Sequence, residues 1–130
     1  MDNCIFCKMA KKEINPQIIW ENDSYLAFLD QIPVREGHTL IIPKKHTDYV
    51  FDLEDEEYTE LMLNATGVAK KLKKALNPKR IGIVVEGFGV SHVHVHLIPI
   101  NNIDELHSDT KKLATGDELK EVANKILKNQ

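Results

Sequence analysis

Residues 92–99, with the sequence HVHVHLIP, place a histidine at every second position. Side chains alternate faces along a β-strand, so this spacing predicts a strand with three imidazoles on one face. Val93, Val95 and Leu97 fall on the other face and suit a buried sheet surface. Two residues' rise separates neighbouring imidazoles by ~6.6 Å. An ordinary polar surface does not require three aligned imidazoles, so the row indicates a metal site or nucleophilic chemistry.

The rest of the chain predicts strands and helices around this segment. Short β-prone runs bounded by turn residues predict strands at residues 17–21, 25–29, 38–42 and 80–85. Helical spacing of apolar residues and a capping box predict helices at residues 4–12, from after 52 to 76, and from after 115 to about 128. A polar loop is expected at residues 101–114. These elements predict an α+β domain with a mostly antiparallel sheet and helices on one face.

Length and composition narrow the class of protein. A chain of 130 residues predicts one domain, residues 1–130, with 42% apolar and 28% charged residues as in soluble proteins. A net charge of −3 gives no argument for nucleic-acid or membrane binding. The N-terminus lacks a secretory signal and no apolar run is long enough for a bilayer, so we expect a cytoplasmic protein. A disulfide between Cys4 and Cys7 is not expected in that reducing compartment.

Several motifs together resemble the histidine triad (HIT) family, whose signature alternates three histidines with apolar residues. The other family motifs are Cys-Ile-Phe-Cys-Lys, Ala-Phe-x-Asp, Pro-x-x-Pro-Gly-His and Pro-Lys-x-His, with counterparts at residues 4–8, 27–30, 33–38 and 43–46. Their order and spacing are far more specific than any one motif. The resemblance implies a HIT-like fold: a five-stranded sheet, one long helix, and short N- and C-terminal helices. It also implies a homodimer joined through the long helix and the adjoining strand.

The resemblance assigns the nucleophile to the middle histidine, His94. A neutral imidazole with a pKa near ~6.5 can attack phosphorus at neutral pH, and water can then hydrolyse the phosphorylated histidine. His96, on the same face, is expected to donate to phosphate oxygens. His38 matches an additional active-site histidine of the family. Taken alone, His38 is more simply explained as a turn residue after Gly37.

The resemblance also implies a structural zinc ion held by Cys4, Cys7, His46 and His92. Two thiolates and two imidazoles make a closed tetrahedral site. One alternative is a pair of buried, reduced cysteines beside a free His46. Another alternative is a zinc hydrolase that uses all three triad histidines as ligands. This alternative is disfavoured because Cys4, Cys7 and His46 offer a better ligand set for a closed site.

A nucleotide pocket is the remaining implication of the resemblance. Family members seat a purine against apolar side chains, here Phe6, Met9 and Phe28, and place a carboxylate, here Asp30, on the ribose hydroxyls. Core packing would explain the phenylalanines almost as well, and a loop cap would explain Asp30. Many members have a glutamine before the triad where this chain has Phe88. Phosphate donors are therefore expected from Ser91 or from backbone amides around residues 89–90.

These features predict a zinc-containing, nucleotide-binding hydrolase. Its expected substrate is a purine nucleoside 5′-monophosphate joined to a leaving group, with a phosphoramidate such as an aminoacyl or lysyl adenylate-type adduct as the first choice. One alternative is a hydrolase of dinucleoside polyphosphates, which needs the same nucleophile and a longer groove. Another is a regulatory protein that binds a purine nucleotide and turns it over slowly, which the Phe88 departure favours.

Overall fold

The computed structural model describes residues 3–107 and 113–129 and has one five-stranded antiparallel sheet with the order β1-β2-β3-β5-β4. The strands are β1 (Ile18–Glu21), β2 (Tyr25–Leu29), β3 (Thr39–Pro43), β4 (Arg80–Val84) and β5 (Val95–Ile100). The helices are α1 (Ile5–Ala10), α2 (Asp55–Leu76) and α3 (Gly116–Lys128), with 3-10 turns at Val50–Asp52 and Ile103–Leu106. The predicted α+β fold is confirmed. The predicted loop lies partly outside the described residues, at 108–112.

Helices cover both faces of the sheet, so the prediction that they share one face is wrong. All five residues of β2 are buried, as are all five of β3. Tyr25, Ala27 and Leu29 belong to the core with α2 and α3, whereas Leu26 and Phe28 belong to a second core with α1. Strands that are buried at every position need cover on both sides, and α1 supplies it on the second face.

The long helix α2 forms because its sequence provides a suitable cap at each end and places apolar side chains along one face. Glu57 Oε1 accepts a hydrogen bond from the Glu54 backbone at the N-terminus. Apolar side chains at Leu61, Val68 and Leu72 are at most 1% exposed and contact the sheet core. The helix ends at Asn77, which adopts the left-handed conformation with φ 52°.

The histidine segment is only partly a strand, because β5 begins at Val95 and not at His92. Ile41 pairs with Val95 in the β3–β5 ladder, so the same register would place Val93 opposite Pro43. Proline has no N–H to continue a ladder, and the Val93 N–H instead donates to Thr47 O at 2.7 Å. The predicted alternation nevertheless holds, because Val93, Val95 and Leu97 all join the core beneath α2.

No helix within residues 3–107 and 113–129 is both long enough and apolar enough to cross a bilayer.

Candidate active site and metal centre

The first histidine of the triad faces two cysteines. His92 is fully buried, and its Nδ1 lies 3.4 Å from Cys4 Sγ and 3.5 Å from Cys7 Sγ. His46 Nδ1 lies 3.2 Å from Cys7 Sγ. The other nitrogen of His92, Nε2, is 2.8 Å from the carbonyl oxygen of Pro43. A carbonyl can only accept, so Nε2 carries the proton and Nδ1 presents its lone pair to the thiols.

Three distant parts of the chain meet at this cluster. Cys4 caps the N-terminus of α1, and the Cys7 N–H donates to Cys4 Sγ at 3.5 Å. His46 follows the end of β3, and His92 precedes β5. A cation held by all four residues would therefore join α1 to the segments that follow β3 and precede β5.

The cluster fits a zinc ion in its donor atoms and spacing. Four possible ligand atoms, one from each residue, lie within 4.8 Å of one another. Their shorter separations, 3.2 to 3.5 Å, approach the ~3.6 Å edge of a zinc tetrahedron with sulfur and nitrogen ligands. Burial lowers the pKa of His92, which keeps it neutral, as a ligand must be. Burial and the adjacent Cys4 raise the pKa of the Cys7 thiol, and a bound cation would oppose that shift.

The second histidine turns into a different environment. His94 is 4% exposed, and its Nδ1 lies 2.7 Å from the backbone oxygen of His92. Because that oxygen can only accept, Nδ1 carries the proton in the neutral ring and the lone pair is on Nε2. The unprotonated nitrogen of the sequence-predicted nucleophile is thus not part of the cluster of Cys4, Cys7, His46 and His92.

The third histidine has the opposite tautomer, and His38 imposes it. The Val34 N–H donates to His38 Nδ1 at 3.0 Å, so the His38 proton must be on Nε2. His38 Nε2 lies 2.9 Å from His96 Nδ1, which must therefore accept and leave the His96 proton on Nε2. Burial and the nearby His94 lower the pKa of His96, while Asp30 and Glu86 partly oppose that shift. The two triad rings consequently offer a lone pair and an N–H donor side by side, with centroids 5.0 Å apart.

Glu86 is the site residue that sequence reasoning missed. Its Oε1 lies 3.6 Å from His94 Nε2 and 3.7 Å from His96 Nε2. Its Oε2 accepts a hydrogen bond from the Phe88 backbone at 3.1 Å. Burial raises the pKa of Glu86, but the amides of Phe88 and Gly87 and the two histidines outweigh it, so the net pKa is low and the side chain is a carboxylate at neutral pH. The sequence signal that could have identified Glu86 was its position just after β4, the strand that pairs with β5.

A cleft of about 650 Å³ contains these histidines and Glu86. It brings together most sequence-predicted residues, namely Phe6, Met9, Phe28, Asp30, His38, His94 and His96. The ring of Phe6 meets Phe28 edge-on at 5.5 Å and His94 at 5.1 Å. Phe6 and Phe28 are only 5% and 2% exposed, so they are core residues as well as the cleft wall.

Asp30 lies at the end of β2 on the rim of this cleft. One of its oxygens accepts the Ile32 N–H at 2.9 Å, which makes a loop cap, and the other lies 3.5 Å from His38 Nε2. Ser91, by contrast, is not among the residues that line the cleft. It is exposed and lines a separate cavity of about 440 Å³ beside Cys4 and His46. The backbone around Gly89 and Val90 does line the main cleft.

Known proteins resemble this chain in sequence and in fold. The HIT domain family model matches residues 11–103. The adenosine 5′-monophosphoramidase of Schizosaccharomyces pombe is 35% identical over 105 residues, which cover 77% of this chain and 76% of that protein. A HIT-like protein from Bartonella henselae has a TM-score of 0.85 at 29% identity, covering 100% of this chain and 98% of the other.

A Zn-bound histidine triad family protein from Mycobacterium smegmatis is also similar in structure. Its TM-score is 0.75 at 25% identity, with 98% of this chain and 93% of the other covered. The family model spans most of the chain, and the relatives match it over most of their own length. This protein therefore belongs to the HIT domain family.

Proposed function

We propose that this protein hydrolyses a phosphoramidate conjugate of a purine nucleoside 5′-monophosphate through a covalent intermediate on His94. The observation that carries the proposal is the pair of opposite tautomers in one cleft. His94 Nε2 has a free lone pair because its Nδ1 proton is held by a carbonyl. His96 Nε2 carries a proton because His38 donates to its other nitrogen. A nucleophile beside a donor is the arrangement that attack on a phosphoryl group requires.

The reaction has two displacements. His94 Nε2 attacks the α-phosphorus, the P–N bond breaks, and the leaving amine takes the bonding electron pair and a proton from solvent. The His96 Nε2–H donates to a non-bridging phosphate oxygen as negative charge develops there. Water then attacks phosphorus, the electron pair returns to His94 Nε2, and the nucleoside monophosphate leaves as a proton passes to solvent.

The apolar wall and Asp30 suit the nucleoside part of the substrate. A volume of about 650 Å³ lies within the ~300–1,000 Å³ range of small-molecule sites. Phe6, Met9 and Phe28 offer an apolar surface to a purine, and Asp30 offers a carboxylate to ribose hydroxyls. The S. pombe relative's name, adenosine 5′-monophosphoramidase, supports both the nucleotide and the phosphoramidate bond.

We further propose that Cys4, Cys7, His46 and His92 hold a structural zinc ion. The ion would supply a cross-link and no chemistry, because a four-ligand site leaves no open position for substrate. By holding α1 against the sheet, these four residues keep Phe6 in contact with His94. The Zn-bound relative from M. smegmatis supports this proposal.

A homodimer in the cytoplasm completes the proposal. β4 is an edge strand of the sheet, and Ile83 on that edge is 48% exposed. A groove of about 450 Å³ lies between β4 and α2, lined by Met62, Ala65 and Ile81 among others. An unpaired edge strand beside an apolar groove supports pairing with a second copy.

A regulatory nucleotide-binding protein is the second candidate. The Glu86 carboxylate lies 3.6 Å from the proposed nucleophile, close to the distance from which a reacting atom attacks. A carboxylate that remained there would slow turnover while leaving the nucleoside wall accessible.

Hydrolysis of adenosine 5′-phosphoramidate by wild type and His94→Ala tests the main proposal. We expect His94→Ala to lose at least ~10³-fold in kcat while still binding AMP. An alkaline quench during turnover, followed by mass spectrometry, should detect a nucleotidyl adduct on the wild-type peptide containing His94. A wild type that binds AMP without turning over the phosphoramidate would contradict the enzyme and favour the regulatory protein.

A further inference from the structure

The proposed zinc ligands Cys4 and Cys7 are also a pair of neighbouring thiols at the start of α1. Both cysteines are free, and the Cys7 N–H donates to Cys4 Sγ at 3.5 Å. The two sulfur atoms lie within 4.8 Å of each other and contact the same nitrogen, His92 Nδ1. Cys-X-X-Cys is the spacing of redox-active cysteine pairs, which form a disulfide reversibly. A small movement of the side chains would therefore bring the two sulfur atoms into bonding distance.

One of the two sulfur atoms is more accessible than the other. Cys4 is half-buried and lines the cavity of about 440 Å³ that also contains Ser91. Cys7 is 7% exposed and is not among the described residues that line this cavity. Oxidation of a thiol pair needs an accessible sulfur for the first step and a neighbouring thiol for the second. The geometry gives Cys4 the first role and Cys7 the second.

The attachment of α1 to the sheet depends on side chains. Within the part of the chain that the structure describes, the backbone–backbone hydrogen bonds of residues 4–14 all stay inside that segment. Phe6 and Met9 pack into the second core, and Lys12 forms an ion pair with Glu21. A helix of six residues is unstable by itself in water, so α1 requires these contacts and the cysteine cluster to stay ordered. Loss of the cluster would therefore loosen α1.

The same helix carries part of the apolar wall of the cleft. Phe6 lies between the two cysteines in sequence, and its ring centroid is 5.1 Å from that of His94. Phe6 and Met9 both line the cleft that we propose for the nucleotide. Movement of α1 would withdraw the surface proposed for the purine and separate His94 from its aromatic neighbour. The state of the two thiols is thus linked to nucleotide binding.

We propose that Cys4 and Cys7 form a redox switch, in which oxidation by a peroxide loosens α1 and lowers the affinity of the cleft for a nucleotide. The Cys4 thiolate attacks one oxygen of hydrogen peroxide, and the O–O bond breaks. Cys4 becomes a sulfenic acid, and the hydroxide that leaves takes up the proton that the Cys4 thiol had lost. The Cys7 thiol then attacks the Cys4 sulfur, the S–O bond breaks, and a disulfide and water form.

The reaction balances and can be reversed. Two thiols and hydrogen peroxide give a disulfide and two molecules of water, and a thiol reductant returns two electrons to restore both cysteines. In a reducing compartment such a disulfide forms only transiently, as it does in redox sensors.

The disulfide would also consume two of the four donors of the proposed zinc site. His46 and His92 alone do not make a closed tetrahedral site, so oxidation should release the metal. The switch rests on the proposed zinc site and on the proposed nucleotide cleft. Its test therefore measures metal, helix and nucleotide separately.

Hydrogen peroxide treatment of the zinc-loaded wild type tests the switch, because the chain has only these two cysteines. We expect an intact mass lower by two hydrogen atoms, and zinc released in step with the disulfide, measured with a chromogenic chelator. Hydrogen exchange in the peptide covering residues 4–14 should accelerate at least ~10-fold, while exchange in α2 stays unchanged. AMP should bind at least ~10-fold more weakly, because the apolar wall is withdrawn.

Removal of zinc by a chelator, with both thiols kept reduced, is the matched control. It should produce the same faster exchange, and zinc alone should reverse it. The oxidised protein should need a thiol reductant before zinc restores it. Cys4→Ser has a single thiol, so peroxide should not change its exchange further. Methionine oxidation adds oxygen to the mass and is not reversed by a thiol reductant, which distinguishes it from the disulfide.

Several wild-type results would overturn the switch without any variant. These are thiols that stay reduced in excess peroxide, a disulfide that forms with zinc retained, and complete oxidation that leaves exchange in residues 4–14 or the Kd for AMP unchanged. A wild type isolated without zinc overturns the zinc site and the switch together. If the reduced wild type does not bind AMP, the proposed nucleotide cleft fails separately, and zinc release with hydrogen exchange still decides whether oxidation loosens α1.

Discussion

His38 Nε2 lies 2.9 Å from His96 Nδ1, and this contact determines which nitrogen of His96 carries the proton. His38 would therefore act on the proposed reaction through the His96 ring, as a positioning residue. Its own orientation comes from the Val34 N–H, 3.0 Å from His38 Nδ1.

We expect His38→Ala to lower kcat by about 10- to 100-fold with a smaller change in KM, because His96 would no longer be held with its proton on Nε2. Steady-state kinetics measures the changes in kcat and KM separately. The ¹⁵N shifts of the His96 ring should change from one tautomer to a mixture in the variant. An unchanged tautomer in the variant would mean that His38 is only structural.

Removal of one of the four proposed zinc ligands should weaken the attachment of α1 to the sheet. We expect Cys7→Ala to lose bound zinc and at least ~2 kcal/mol of unfolding free energy, because the site joins segments far apart in sequence. Elemental analysis and urea unfolding measure the two effects. Ser91→Ala is the matched control, since Ser91 lines the cavity beside the cluster without joining it. Zinc content equal to wild type in Cys7→Ala would remove the metal centre from the proposal.

Acid should destabilise the protein through His96. Burial lowers the folded-state pKa of His96 below its usual ~6.5, so the unfolded chain takes up a proton first as the pH falls. The His96 contribution to stability is therefore constant above pH ~6.5 and decreases as the pH drops from there toward the folded-state pKa. Urea unfolding between pH 7.5 and 5 should show a steeper loss for wild type than for His96→Asn. Parallel curves would contradict this assignment.

The edge of β4 should carry the dimer contact. We expect Ile83→Asp to shift the protein toward the monomer in sedimentation velocity, because a buried charge at an apolar contact costs several kcal/mol. Phe51→Asp is the control, since Phe51 is 71% exposed and belongs to the 3-10 turn before α2, not to β4. A wild type that sediments as a monomer at micromolar concentration would contradict the dimer directly.

Local patterns in the sequence were sufficient for most strands and helices, but not for the start of β5 at Val95 or the 3-10 turn at Ile103–Leu106. The period of apolar residues along α2 and the capping pair Thr115 and Glu118 mark helices that depend on neighbours three and four residues away. The alternation of histidine and valine likewise sorts residues 92–97 onto two faces, whatever the strand's partners. Order and spacing of the HIT motifs identified the family for the same reason, since motifs are properties of the chain.

Long-range contacts decided what the sequence left open. The position of α1 decides that His92 contacts Cys7 and that His94 contacts Phe6. α1 covers the second face of the sheet because β2 and β3 are buried at every position. Glu86 enters the site only because β4 pairs with β5, which brings a turn residue next to His94. No local periodicity relates the residues that these contacts join. Burial and hydrogen bonding across the folded sheet therefore decide which nitrogen of each histidine carries the proton, which residue the ring contacts and what chemistry it can do.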